Sequence, residues 1–117
     1  MPVRMGFTEY RRQLLEKELE RLVEEMPRLG IPKVILVGSF ARGQTGPDSD
    51  LNLVILHDTE YGFGRRQDFF SYHLDPQVAM HFVVYTPKEF EEESLANASL
   101  RYALERGRVV YESGPQS

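Results

Sequence analysis

Cysteine is absent from the 117 residues, and so is tryptophan. Without cysteine there are no disulfides and no thiolate metal sites, and nothing in the cysteine usage reports a redox compartment. Long apolar runs are missing too: none approaches the roughly 20 residues of a membrane-spanning helix. The N-terminal stretch lacks the apolar core of a signal peptide, so a soluble, cytoplasmic protein with no membrane association is expected. Positive charge is short. Lys and Arg number 14 against 18 Asp and Glu, a net charge of −4, which argues against a general nucleic-acid-binding surface. The length suits one domain. We expect it over residues 1–112, followed by a disordered tail, 113–117, with no repeat and no internal linker.

What is present centres on the stretch from Lys33 to Leu56. Val34–Val37 is a continuous apolar run that reads as a buried strand. Gly38-Ser39 ends it, and Phe40–Gly43 has room for one helical turn. Gln44–Ser49 holds Gly, Pro, Asp and Ser and reads as a loop, and Leu51–Leu56 is a second apolar strand. A strand that breaks at Gly-Ser into a helical start offers backbone N–H groups to an anion, most naturally phosphate. Ser39 reads equally as a cap for that short helix. Asp50 opens the second strand close enough to face the turn. A phosphate cradle beside an acidic strand suits metal-assisted phosphoryl or nucleotidyl transfer. Side chains two apart share a strand face, so Asp50 and Asn52 point one way and Leu51, Leu53 and Ile55 the other. In the strand expected over Val78–Tyr85, the same rule groups His81 with Ala79, Val83 and Tyr85.

Val37-Gly38-Ser39, a ten-residue spacer and Asp50-Leu51-Asn52-Leu53 together resemble the signature of the polymerase-beta-type nucleotidyltransferases. Gly-Ser-Phe-Ala-Arg-Gly followed by Pro-Asp-Ser-Asp-Leu resembles their minimal nucleotidyltransferase branch. Val83–Phe90 and Ala103–Gly107 look like that family's closing segments. The resemblance implies nucleotide contacts from Gly38, Ser39 and Arg42, with ATP as substrate. It also implies a metal site on Asp50 for Mg²⁺ or Mn²⁺, and catalytic positions at Asp50, Asn52 and His81. In the family those three positions are carboxylates that hold two metal ions. Here the second is Asn52 and the third is His81, so Asp50 alone keeps its charge. One Mg²⁺ could be held by a single carboxylate plus the nucleotide's phosphates, His81 could ligate a softer ion, and Asp48 could swing in from the loop.

The remaining segments read as scaffold. Thr8 to about Arg28 is a helix, with Leu15, Leu19, Leu22 and Met26 at three- and four-residue steps and Thr8 as its cap. Glu16, Glu18, Glu20, Glu24 and Glu25 read as a solvated face supported by pairs such as Arg12 with Glu16 and Glu24 with Arg28. Arg65–Leu74 is an amphipathic helix that packs on the sheet or offers Phe69, Phe70 and His73 to a base or partner. Arg65-Arg66 reads as a solvated pair, and His57 and His73 as polar residues at element edges. Thr86-Pro87 with Glu89 is a capping box. Leu95–Arg106 is helical up to a stop at Gly107, and Arg108–Glu112 is a last strand. The order gives an α/β (α+β) domain, a mixed sheet with helices on one face, matching the nucleotidyltransferase core.

Two functions follow. One is ATP-dependent transfer of AMP to a hydroxyl. The other is a catalytically reduced copy of the fold acting as a partner-binding, antitoxin-like subunit. By resemblance, the partner is a small helical protein of the kind found in toxin–antitoxin pairs; self-association into a homo-oligomer is the other expectation.

Overall fold

The computed structural model describes residues 6–46 and 49–113. Asp48 and the tail from 114 onward lie outside the described residues. The elements run α1 (Phe7–Glu25), β1 (Lys33–Val37), β2 (Leu51–Leu56), α2 (Phe63–Leu74), β3 (Met80–Tyr85), α3 (Pro87–Ala96), α4 (Ala98–Glu105) and β4 (Arg108–Glu112). Among these described residues no helix is long and apolar enough to cross a membrane.

The four strands form one mixed sheet in the order β3-β2-β1-β4. β1 pairs antiparallel with β2, Val37 opposite Asn52, and antiparallel with β4. β2 pairs parallel with β3, Asn52 beside His81. A parallel pair cannot close through a tight turn, and α2 is the crossover that makes this one possible. Alternation sorts the faces. Leu51, Leu53 and Ile55 of β2 join Val34, Leu36, Phe82 and Val84 in a core against Leu15, Leu19 and Leu22 of α1, Met26 just beyond its end, and Phe70 and Leu74 of α2. Ile35 and Val54 are buried outside that cluster, and α4 packs against β1. Gly107 lets the chain turn from α4 into β4, since a Cβ there would stand 2.8 Å from the Leu36 carbonyl oxygen.

Several local expectations are corrected. The cap of α1 is Gly6, and Thr8 lies inside the helix; glycine caps about as well as threonine, so apolar spacing from Phe7 onward decides the start. The helix ends at Glu25, giving way to turns through Gly30. Ion pairs form at three-residue spacing, Arg12 with Glu9 in the helix and Arg28, in the turns beyond it, with Glu25. Glu18 is not solvated. It is buried on the apolar stripe, bonded to Arg21 and to the Gln77 backbone N–H, and so ties α1 to the turn before β3. Arg21's guanidinium holds the Glu18 carboxyl below its ordinary value, with burial opposing.

The helical turn expected at Phe40–Gly43 is a run of tight turns. The N–H groups of Arg42 and Gln44 return to the Ser39 carbonyl and that of Gly43 to Phe40. α2 begins at Phe63, capped by Gly62, and β3 begins at Met80, later than Val78. The helix expected over Leu95–Arg106 is broken at Asn97, which ends α3 and caps α4 by accepting from Leu100 N–H at 3.1 Å. Asn competes with the helical backbone through its own side chain and so favours caps. The Thr86–Glu89 capping box forms as the spacing predicts.

Arg66 is likewise buried rather than solvated. It bonds Glu89 and the carbonyls of Tyr61 and Val84.

Candidate nucleotide-binding site

β1 and β2 lie side by side, so the turn that ends one faces the start of the other. Gly38 takes a positive φ of 88°, and a Cβ on it would stand 3.0 Å from the Asn52 side-chain nitrogen. Glycine is needed here twice over, for the left-handed backbone and for the room Asn52 takes. Asn52 is paired with His81 across the parallel ladder, and His81 Nε2 stands 3.4 Å from Asp50 Oδ2. Asp50, Asn52 and His81 thus converge beside Gly38 on the sheet face away from the main core. His81 is two-thirds exposed and Asp50 about one-third, at 66% and 31%, so the site is open to a ligand.

Ser39 joins through Ser49. The two hydroxyls lie 3.4 Å apart, and Ser49 Oγ accepts from Gly46 N–H at 2.7 Å. Ser49 is 8% exposed, so its hydroxyl pins the loop between the strands. Arg42 stands apart, exposed, its Nε donating to Gln44 Oε1 at 3.4 Å.

Sequence reasoning missed Arg11. From α1, its Nε donates to the Ser49 carbonyl at 3.0 Å and its Nη2 to Asp50 Oδ1 at 3.5 Å. A signal existed: Arg11 lies four residues before Leu15, on the stripe that faces the core rather than on the solvent face. Ser49 was also missed, being read only as loop.

The donor set bears on metal binding. Among the described residues no group of three His, Asp or Glu could hold an ion. Among the described residues Asp50 is the single carboxylate at the site, one oxygen facing Arg11 and the other His81. Two divalent ions need more negative charge than one carboxylate supplies, so these residues do not fit a two-ion centre. Among the described residues, a divalent ion finds Asp50 plus phosphates brought by a nucleotide.

The comparison with known families agrees with this architecture. The nucleotidyltransferase domain family matches residues 15–111, a span that includes the Gly-Ser turn, Asp50, β1, β2, β3 and all of β4 but its last residue, and the chain belongs to that family. Among curated proteins it is similar to the "putative protein adenylyltransferase" of Methanocaldococcus jannaschii, 29% identical over 102 residues, covering 81% of this chain and 93% of that protein.

Proposed function

We propose that this single domain, spanning residues 1–112, is a cytoplasmic nucleotidyltransferase that binds ATP at Gly38-Ser39 and transfers AMP to a hydroxyl on a small helical partner protein. One observation carries the reading: Asp50, Asn52 and His81 meet on one open face beside a glycine turn that Asn52 itself crowds. The M. jannaschii relative supports the choice of AMP and of a protein acceptor by its name alone.

In this reading Ser39 donates to the terminal phosphates, and Arg42 turns from Gln44 to meet them. The acceptor oxygen bonds to the α-phosphorus, the bond to the departing pyrophosphate breaks, and the hydroxyl proton passes to Asp50, the carboxylate at the site. Mg²⁺ or Mn²⁺ carried on the nucleotide would have Asp50 as its protein ligand and would neutralise phosphate charge. No residue of α3 or α4 is buried, and Leu95, Tyr102 and Val109 are exposed. That surface suits the helical partner, or a second copy in a homo-oligomer.

A second reading has its own support. The one remaining carboxylate is already paired with Arg11, as suits a reduced copy that binds its antitoxin-like partner without turnover. Incubation with ATP, Mg²⁺ and the product of the adjacent reading frame, followed by intact mass, tests both. One added AMP on the partner, lost in Asp50→Asn, is the expected result. A stable complex with no added mass moves the assignment to the binding subunit.

A further inference from the structure

A fixed positive charge, the Arg11 guanidinium, already stands against Asp50 Oδ1, at 3.5 Å, on a side chain that is 23% exposed. Arginine is never deprotonated under ordinary conditions. A divalent ion at that oxygen would meet the guanidinium's like charge and would have to displace it. The second arm of Arg11, Nε on the Ser49 carbonyl at 3.0 Å, anchors the residue whose hydroxyl reaches Ser39 and the Gly46 N–H. Arg11 therefore touches both halves of the site, the acidic strand through Asp50 and the phosphate turn through Ser49. A guanidinium fork also matches phosphate oxygens as well as it matches carboxylates.

From this geometry we infer that Arg11 takes the place of the divalent ion: it positions Ser49 and Asp50 and supplies the cation for the nucleotide's phosphates, so ATP binds without Mg²⁺. The inference rests on the reading of Gly38-Ser39 as an ATP site. It differs from that reading in what it requires of metal.

Calorimetric titration of ATP into the protein, once in EDTA and once in Mg²⁺, is the test. The expected dissociation constants agree within about threefold, against the tenfold or greater loss expected of the variant below. Arg11→Gln should weaken binding in EDTA by about tenfold or more, as the loss of a charge-assisted contact does. The same variant should gain a dependence on Mg²⁺ that the parent lacks, because Asp50 is released. Arg11→Lys should recover most of the EDTA binding, since it restores the charge. A bracing role for Arg11 would lower the melting temperature in both variants and leave the metal dependence of ATP binding unmoved. If Arg11→Gln does not fold, the parent titrations and Arg11→Lys still decide. ATP binding only in Mg²⁺ overturns the inference and leaves the ATP site standing. ATP binding in neither condition overturns both.

Discussion

Arg66 of α2 grips Glu89 of α3 with both arms of its guanidinium, Nη1 to Oε1 at 2.6 Å and Nη2 to Oε2 at 3.2 Å. The same carboxylate accepts from the Thr86 backbone N–H at 2.8 Å, completing the capping box. Arg66 also donates to the carbonyls of Tyr61 and Val84. One ion pair thus fastens the crossover helix, the end of β3 and the start of α3. Arg66→Met should destabilise the fold by about 3 kcal/mol, because Glu89 and two carbonyls lose a partner together. Urea denaturation of the variant measures it, and a change under about 0.5 kcal/mol would place the pair among ordinary surface pairs.

Acid should act in two steps. Burial between Phe69 and Phe70 pushes His57 down from its ordinary value of 6.5. A depressed histidine favours the neutral form when folded, so its stability is present above 6.5 and is lost as pH falls through the folded value. Glu18 and Glu89 are both held below 4.5, by Arg21 and Arg66 respectively. Their stability is present above 4.5 and disappears as pH falls through their folded values. Urea midpoints taken at descending pH should show a shallow decline below 6.5 and a steeper one below 4.5. His57→Phe should abolish the first decline and keep the second; persistence of the first in that variant would assign it to another group.

Phe70 sits at 0% exposure, where α2 meets β3, edge to face with Phe69 and 5.9 Å from Phe82. Phe70→Ala should cost about 3–5 kcal/mol through lost burial and the cavity left behind. Thermal and urea unfolding would register it. A cost below about 1 kcal/mol would mean that α2 collapses onto the sheet without this ring.

Much of this arrangement is legible locally. The capping box needs only Thr86, Pro87 and Glu89, three residues in reach of one another, and β1 and β2 announce themselves as apolar runs. Gly38 and Asp50 stand out because a turn and a carboxylate adjoin those runs. Charge type is a poor guide to exposure at Arg66 and Glu18, both of which are buried. Each is buried by partners far along the chain, Glu89 for one and the Gln77 N–H for the other, and no local pattern carries that pairing. Both do sit on apolar helical stripes, Glu18 three residues after Leu15 and Arg66 four before Phe70, and that position outweighs their charge. Arg11 escaped for the same reason. The neighbours of Asn97 on both sides favour helix, which hides the break there; its side chain breaks the helix by capping the next one.

Asn52 and His81 are ladder partners, and His81 reaches Asp50. Asn52→Asp with His81→Asp should therefore place three carboxylates in one cleft. Without metal they repel, and at least one carboxyl should rise above its usual range. With Mn²⁺ present, the double variant should gain stability by linkage, about 2.7 kcal/mol at a hundredfold excess over the dissociation constant. Melts across a Mn²⁺ titration give the shift. A parent that shifts as much as the variant would show that Asp50 alone already binds the ion.

The parallel pairing of β2 with β3 has a consequence for how the molecule is made. β1 and β2 are neighbours joined by a single loop, so their pairing closes early and at small entropic cost. His81 arrives only after α2 has crossed over and β3 has docked beside β2, a contact between distant parts of the chain that forms slowly. On these grounds Asp50 and Gly38 are expected to come together before His81 joins them. Any folding intermediate that holds the β1–β2 pair without β3 carries the glycine turn and the carboxylate but lacks the imidazole, and exposes the edge of β2 to whatever strand it meets first.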